Sequence, residues 1–291
     1  MQILIEHLLN GLGLGAMYAS VAIGLAVIFG VVGLVNFSQG EIFMVAAFMF
    51  YVIYGTGVIP YPIAFILVII VMVLFGVLFE SVFVRPVFKR PWYIQLVSTL
   101  AASIIIKEVA RLIWGSTPKV MPTHYLNSFI TIPNIGVFSY QRAILVIGSI
   151  FAFWGLNLFF RKTKYGKAMR AISQNREASS VVGIDVRAMT RLAFALGSGL
   201  AGLGAALVIP LFNISPDIGS SLILRAFAAI VAGGLGQVKG AIYGALLLGI
   251  TESLASGYVS TAYKDLIGIS ILAVVLILKP QGIFGQKKVG I

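Results

Sequence analysis

"LLNGLGLGAMYASVAIGLAVIFGVVGLVNFSQG", residues 8–40, contains no Lys, Arg, Asp or Glu. A helix needs about 20 apolar residues to cross the hydrocarbon core of a bilayer, and this run exceeds that before its first charge, Glu41. Charge-free runs recur at 42–79, 143–160 and 192–216. Across 291 residues, 59% are hydrophobic and 10% charged, against about 25% charged in a soluble domain. So few charges cannot cover a soluble globule of this size. The chain reads as an all-α polytopic membrane protein, because lipid leaves backbone groups no partner outside a helix or closed barrel. No ten-residue alternating strands of a barrel occur, and every span is expected to be helical.

The first run is too long for a cleaved signal and lacks a basic leader. There is no cysteine, which removes disulfides, thiolate metal sites and cysteine nucleophiles. The net charge of +12 is unevenly spread: residues 161–191 hold eight basic and two acidic residues, half of the total. Basic segments at 84–91, 161–191 and 279–288 alternate with neutral connectors at 54–62, 115–141, 210–219 and 255–263. That is the positive-inside pattern of loops between spans, not a nucleic-acid surface. It places the N-terminus outside and the C-terminus in the cytoplasm. Spans are expected near 8–34, 41–54, 62–84, 94–114, 141–160, 188–210, 220–237, 240–257 and 263–279, so about eight to nine transmembrane helices, some broken or short.

Two places interrupt the oily segments, "GLVNFSQGE" (33–41) and "GGLGQVKGA" (233–241). At an offset of 200, Gly33 meets Gly233, Gly40 meets Gly240 and Ile42 meets Ile242, a correspondence short of a repeat. Interrupted helices are pointers to transport sites; tight turns are the other reading. Asn36, Gln39, Glu41 and Glu252 are the candidates for a translocation path. Glu41 either faces that path or caps the next helix. Glu252 faces the bundle, near the path or bonded to a neighbouring helix. Arg225 also faces the bundle or snorkels outward. Glu80 is expected to pair with Arg85, and Glu108 with Arg111 at i, i+3. Gly11 with Gly15, and Gly240 with Gly244, have the spacing of close helix packing.

"KTKYGKAMRAISQNREASSVVGID" (162–185) is the one conspicuously wet stretch. Asn175 can N-cap a helix over 176–182 with Glu177 in its first turn, and Gly183 can close it in a left-handed cap. A short helix without a broad apolar stripe suits a groove on another protein better than a lipid surface. A solvated loop held inside by its charges is the alternative.

"REASSVVG" (176–183) is similar to the E-A-A-x-x-x-G pattern of permease subunits of ATP-binding-cassette importers, with Glu177, Ala178 and Gly183 on motif positions. Ser179 departs from the second Ala, and the later I-x-L-P is absent, residues 193–196 reading "AFAL". Together with "GLVNFSQGEIFM", "FVRP", "YGKAMRAISQNREAS", "RAFAAIVAGGLGQVKGAIYGALLLGITES" and "KPQGIFG", nearly the whole chain resembles LivH-type permeases of branched-chain amino acid importers. The resemblance implies one transmembrane permease domain, 1–291, in a bacterial inner membrane, with the importer permease fold. It also implies an ATPase-coupling loop at 161–187 that includes Arg170, Gln174, Asn175, Arg176, Glu177, Ala178, Ser179 and Gly183. The implied partners are a second permease of similar fold, two cytoplasmic ATPase subunits, an external solute-binding protein and an amino-acid substrate. ATP and Mg would be used by the ATPase subunits, with no cofactor on this chain. Urea or short-amide permeases are close alternatives.

The absences agree. No G-x-x-x-x-G-K-[ST] phosphate loop occurs. "GSGLAG" (197–202) matches a dinucleotide motif only literally, inside a charge-free run with no preceding strand. His7 and His124 are the only histidines and sit far from Ser198 in sequence, which disfavours an intramembrane serine enzyme. An ATP-independent secondary transporter would need ion-coupling residues paired at mid-membrane, and few are present.

Overall fold

The computed structural model describes residues 2–121, 129–132, 136–260, 263–279 and 281–284. His124, part of the 255–263 connector and the tail from 285 lie outside them. Each of the nine expected apolar segments forms a helix: α1 (Gln2–Val32), α2 (Gln39–Gly55), α3 (Tyr61–Phe79), α4 (Trp92–Trp114), α5 (Tyr140–Lys162), α8 (Val186–Val208), α9 (Ile218–Gly233), α10 (Val238–Tyr258) and α11 (Lys264–Leu278). Among the described residues, five helices are long and apolar enough to cross a membrane by length and composition: Leu4–Val32, Tyr61–Val87, Ala143–Lys162, Val186–Leu211 and Val238–Tyr258. α4 is as long as α5 but carries Lys107, Glu108 and Arg111.

The spans are helical as expected, and the connector after α4 adds a short hairpin outside them. There β1 (Phe129–Ile132) and β2 (Gly136–Ser139) form an antiparallel hairpin with Phe129 opposite Ser139. The rule that forbids open sheet edges applies within hydrocarbon, where no water can satisfy them; this connector is polar. The basic stretch before the capped helix is also a helix, α6 (Lys164–Gln174), followed by α7 (Arg176–Val181). α6 is amphipathic: Gly166, Met169 and Ile172 are buried at i, i+3, i+6, while Lys164, Lys167 and Arg170 are exposed.

α1 is the buried spine, packed along α10 and against α8 and α9. Glycine makes that approach possible. A Cβ on Gly11 would come within 2.6 Å of Ile250 Cα, and one on Gly15 within 2.9 Å of Leu246 Cα. Such contacts replace the hydrophobic effect as the cohesive force in lipid, where tails are as apolar as Leu. Gly76 of α3 does the same against Phe194 and Ser198 of α8. The outer faces of α3, α4 and α5 are apolar and exposed, with Leu74, Leu112 and Phe151 among them. An apolar surface of that extent is the signature of a lipid-facing wall.

The two interruptions resolve differently. At 234–237 the chain makes a tight turn, with Gln237 N–H donating to Gly234 O at 3.2 Å, and α9 and α10 return against each other at Gly233 and Gly240. At 33–38 the chain turns back into the bundle. α2 starts beside Gly24 and Gly197, well inside α1 and α8, and the Gln39 amide donates to Gly197 O at 3.1 Å. α9 starts at the same place: a Cβ on Gly40 would collide with the Gly219 carbonyl. α2 has 17 residues and α9 has 16, or about 24–26 Å of helix at 1.5 Å per residue, short of a core about 30 Å thick. The sequence correspondence at offset 200 therefore joins two different connections.

Candidate translocation and coupling site

α7 forms because its ends are fixed locally. The Asn175 Oδ1 accepts the Ala178 N–H at 2.9 Å, and Glu177 lies in the first turn. At the other end Gly183 has φ +86, the left-handed conformation that costs glycine nothing. Its N–H donates to Ser180 O, and the Ile184 N–H donates to Ser179 O, each at 3.1 Å. These paired bonds are a Schellman closure. α7 thus stands as a short element whose polar ends are satisfied from within.

The coupling candidates do not all face outward. Arg170, Gln174, Asn175, Glu177, Ala178 and Gly183 are exposed, but Ser179 is 4% exposed and its Oγ donates back to Asn175 O at 2.7 Å. Ser179 thus lies on the inward side: one turn of helix on a surface must place some residue underneath. The outward tip includes Val181 and Val182, 86% and 76% exposed. Sequence reading missed these two valines; the signal was a pair of apolar residues just before the closing glycine. Arg176 lays its guanidinium over the Phe88 ring, 4.3 Å from the centroid. Desolvation there lowers its pKa below the ordinary arginine value, and the contact ties α7 to the basic segment after α3.

The path candidates are all buried: Asn36, Gln39, Glu41 and Glu252. Asn36 and Gln39 come together, Asn36 Nδ2 donating to Gln39 Oε1 at 3.4 Å, while Asn36 Oδ1 accepts the Ser38 N–H at 3.2 Å. Ser38 Oγ donates to Thr99 O of α4. Asn36 satisfies a backbone N–H where α2 begins inside the bundle, as unwound chain in lipid requires, while Ser38 and Gln39 tie that turn to carbonyls of α4 and α8. Glu41 lies in the first turn of α2, whose N-cap residue is Ser38, and accepts from Ser220 Oγ at 3.2 Å. Ser220 Oγ is also 3.1 Å from Lys107 Nζ, which pairs with Asp217 at 2.7 Å. Arg111 joins Asp217 and Glu108, each at 2.8 Å. The i, i+3 pair is thus present and is part of a longer chain of charges. Lys107, then Arg111, hold the exposed Asp217 carboxyl below its ordinary pKa.

Glu252 takes its own partners, on two neighbouring helices. The Tyr18 hydroxyl of α1 donates to Glu252 Oε2 at 2.6 Å, and Arg225 Nε of α9 lies 3.3 Å from Oε1. Arg225 accordingly turns into the bundle instead of snorkelling outward. The expected Glu80–Arg85 pair is corrected: Glu80 lies 3.8 Å from Arg191 of α8. The π turn at Glu80–Val84 stacks Arg85 over Glu80, the Arg85 N–H donating to Glu80 O, yet the buried carboxylate turns to α8, where Arg191 stands.

Residues 7–277 match the family model described as branched-chain amino acid transport system / permease component. The chain is 30% identical over 98% of its length to the high-affinity branched-chain amino acid transport system permease protein LivH of Escherichia coli, covering 96% of that protein. It is 31% identical to BraD of Pseudomonas aeruginosa, over 98% of this chain and 97% of that one. A probable LivH of Methanocaldococcus jannaschii is 28% identical over 91% of this chain and 87% of its own. No solved structure matches. On the family model and these near full-length relatives, this multi-pass chain belongs to the permease-component family of branched-chain amino acid transport systems.

Proposed function

We propose that the chain is the permease subunit of an ATP-driven importer of branched-chain amino acids, forming half of a translocation path. It would pair with a second permease of similar fold, two cytoplasmic ATPase subunits that use ATP and Mg, and an external solute-binding protein, and hold no cofactor itself. The observation that carries the coupling role is α7: a helix closed at both ends, exposed over Ala178, Val181 and Val182, and anchored through Arg176 on Phe88. Closure of the ATPase pair pushes this knob, and the push passes to α8 through Asp185, whose carboxylate caps α8 at the Arg187 and Ala188 N–H groups. Short apolar helices α2 and α9, meeting inside the bundle at Gly40 and Gly219, frame the path. Asn36, Gln39 and Glu41 set its polar points.

The N-terminus outside and the C-terminus in the cytoplasm fit this arrangement. Arg176 on Phe88 places the coupling loop beside the 84–91 segment, and Gly282 against Gly234 places the tail beside the 234–237 turn. The coupling loop thus lies with one basic connection and the tail with the other turn. Co-purification from membranes followed by vesicle uptake tests the reading. ATP-dependent leucine, isoleucine and valine uptake by the assembled complex is expected, with urea and short amides excluded. A chain that purifies alone and moves solute without nucleotide overturns it.

A further inference from the structure

A cavity of about 270 Å³ opens where the π turn after α3, the 3-10 turn Arg85–Val87 and the first turns of α8 meet. Its walls carry four cations, Arg85, Lys89, Arg187 and Arg191, and one carboxylate, Glu80. Glu80 is 5% exposed at its side chain and stands 3.8 Å from Arg191, so it offsets one of the four. Among the described residues no ion pair involves Arg85, Lys89 or Arg187. A concave site with that excess of positive charge takes an anion.

The approach to the cavity says which anion. Ile70, Leu74 and Leu78 are exposed at four-residue spacing on one face of α3; Val82 follows, exposed in the π turn, and Pro86 lies in the cavity wall. An apolar stripe thus runs down α3 and ends on the cations. Trp92 and Tyr93, 71% and 55% exposed, follow directly, and such rings settle at the headgroup level of a bilayer. Basic pockets between helix ends at this level receive lipid headgroups. A partner's acidic side chain would use the cations but not the stripe.

We propose that this cavity binds the phosphodiester headgroup of an anionic phospholipid whose acyl chain lies along Ile70–Val82. The headgroup satisfies Arg85, Lys89 and Arg187, and Glu80 holds Arg191 in place beside it. Phe88 is shared with Arg176, so an occupied cavity braces the base of α7. The assignment stands apart from the importer reading and needs only the membrane placement.

The test equilibrates delipidated full-length chain in mild detergent with phosphatidylglycerol or phosphatidylcholine and reads bound lipid by native mass spectrometry. Phosphatidylglycerol should bind more tightly, and Lys89→Gln with Arg187→Gln should weaken it about thirty-fold, at about 1 kcal/mol per cation near the surface. Lys164→Gln with Lys167→Gln, the same charge change on the exposed face of α6, should leave it within about two-fold. Equal binding of the two lipids, or equal loss in both double variants, overturns the site. Inorganic phosphate that displaces phosphatidylglycerol at equal concentration would make it a free-anion site instead. Pocket variants that retain the lipid but lose an ATPase subunit would make it a protein contact. Should the double variant fail to fold, a photoactivatable phosphatidylglycerol on the unaltered chain must label residues 80–91 or 187–191; labelling elsewhere only overturns the proposal.

Discussion

Gly40 and Gly219 stand backbone against backbone where the first turns of α2 and α9 meet inside the bundle. Neither position has room for a methyl group: a Cβ on Gly219 would come within 2.8 Å of the Gly40 carbonyl carbon and oxygen. Overpacking a tight contact costs about 1–3 kcal/mol. Gly40→Ala and Gly219→Ala should each lower thermal stability in detergent by that order, and uptake should fall further because the two helix starts are pushed apart. Gly155→Ala, on α5 with nothing within 4 Å of its Cβ position, should be neutral. Comparable melting temperatures for all three would remove the contact from the account.

The Glu252–Arg225 pair gives a second prediction. Removing the cation beside a buried carboxylate is destabilising, up to about 3–5 kcal/mol for a fully buried pair, whereas replacing both by apolar residues is often neutral. Arg225→Met should therefore sharply reduce folded protein in membranes. Arg225→Met with Glu252→Met should recover much of it, as read by fluorescence-detected size exclusion. A double variant worse than either single would contradict the pairing.

How far these features were legible in the sequence depends on how local their causes are. Asn175 and Gly183 announced α7 because a cap and a left-handed closure are written within nine residues. Charge-free length announced the helices for the same reason. The segments 33–41 and 233–241 look alike in sequence, yet only the first re-enters the bundle, since the difference lies in what Gln39 finds on α8. Glu80 pairs with a residue on another helix, which spacing along one chain does not reveal. Ser179 faced inward because a single turn of helix has no periodicity to reveal its buried side.

Asp217 supplies a pH dependence. Its ordinary value is 3.8, and the hydrogen bond and charge of Lys107, with Arg111, hold it lower in the folded chain. A depressed carboxyl contributes stability above its unfolded pKa and loses it as the pH falls through the folded value. Asp217→Asn should therefore melt below the unaltered chain at pH 7, with the gap closing as the pH falls below about 4. A gap that persists unchanged to pH 2 would show that the carboxylate charge does not tie α9 to α4.

Capping predicts the behaviour of the coupling loop. Asn175→Ala removes the acceptor for the Ala178 N–H and should cost α7 about 1 kcal/mol. Gly183→Val forces a branched residue to φ +86. Both should lower ATP-dependent uptake while leaving membrane abundance near normal, because α7 packs on little of the bundle. Full uptake in both variants would mean that the shape of α7 is immaterial.

The absence of cysteine makes Ala178→Cys a unique thiol in this subunit and the most direct probe of the central claim. With the complex assembled in vesicles, a short bifunctional reagent should join that thiol to an ATPase subunit, with a yield that changes on ATP binding. Val120→Cys, on the exposed connector after α4, should give no such product. A Cys at 178 that never crosslinks to an ATPase, and reacts with water-soluble reagents equally with and without those subunits, would contradict the account.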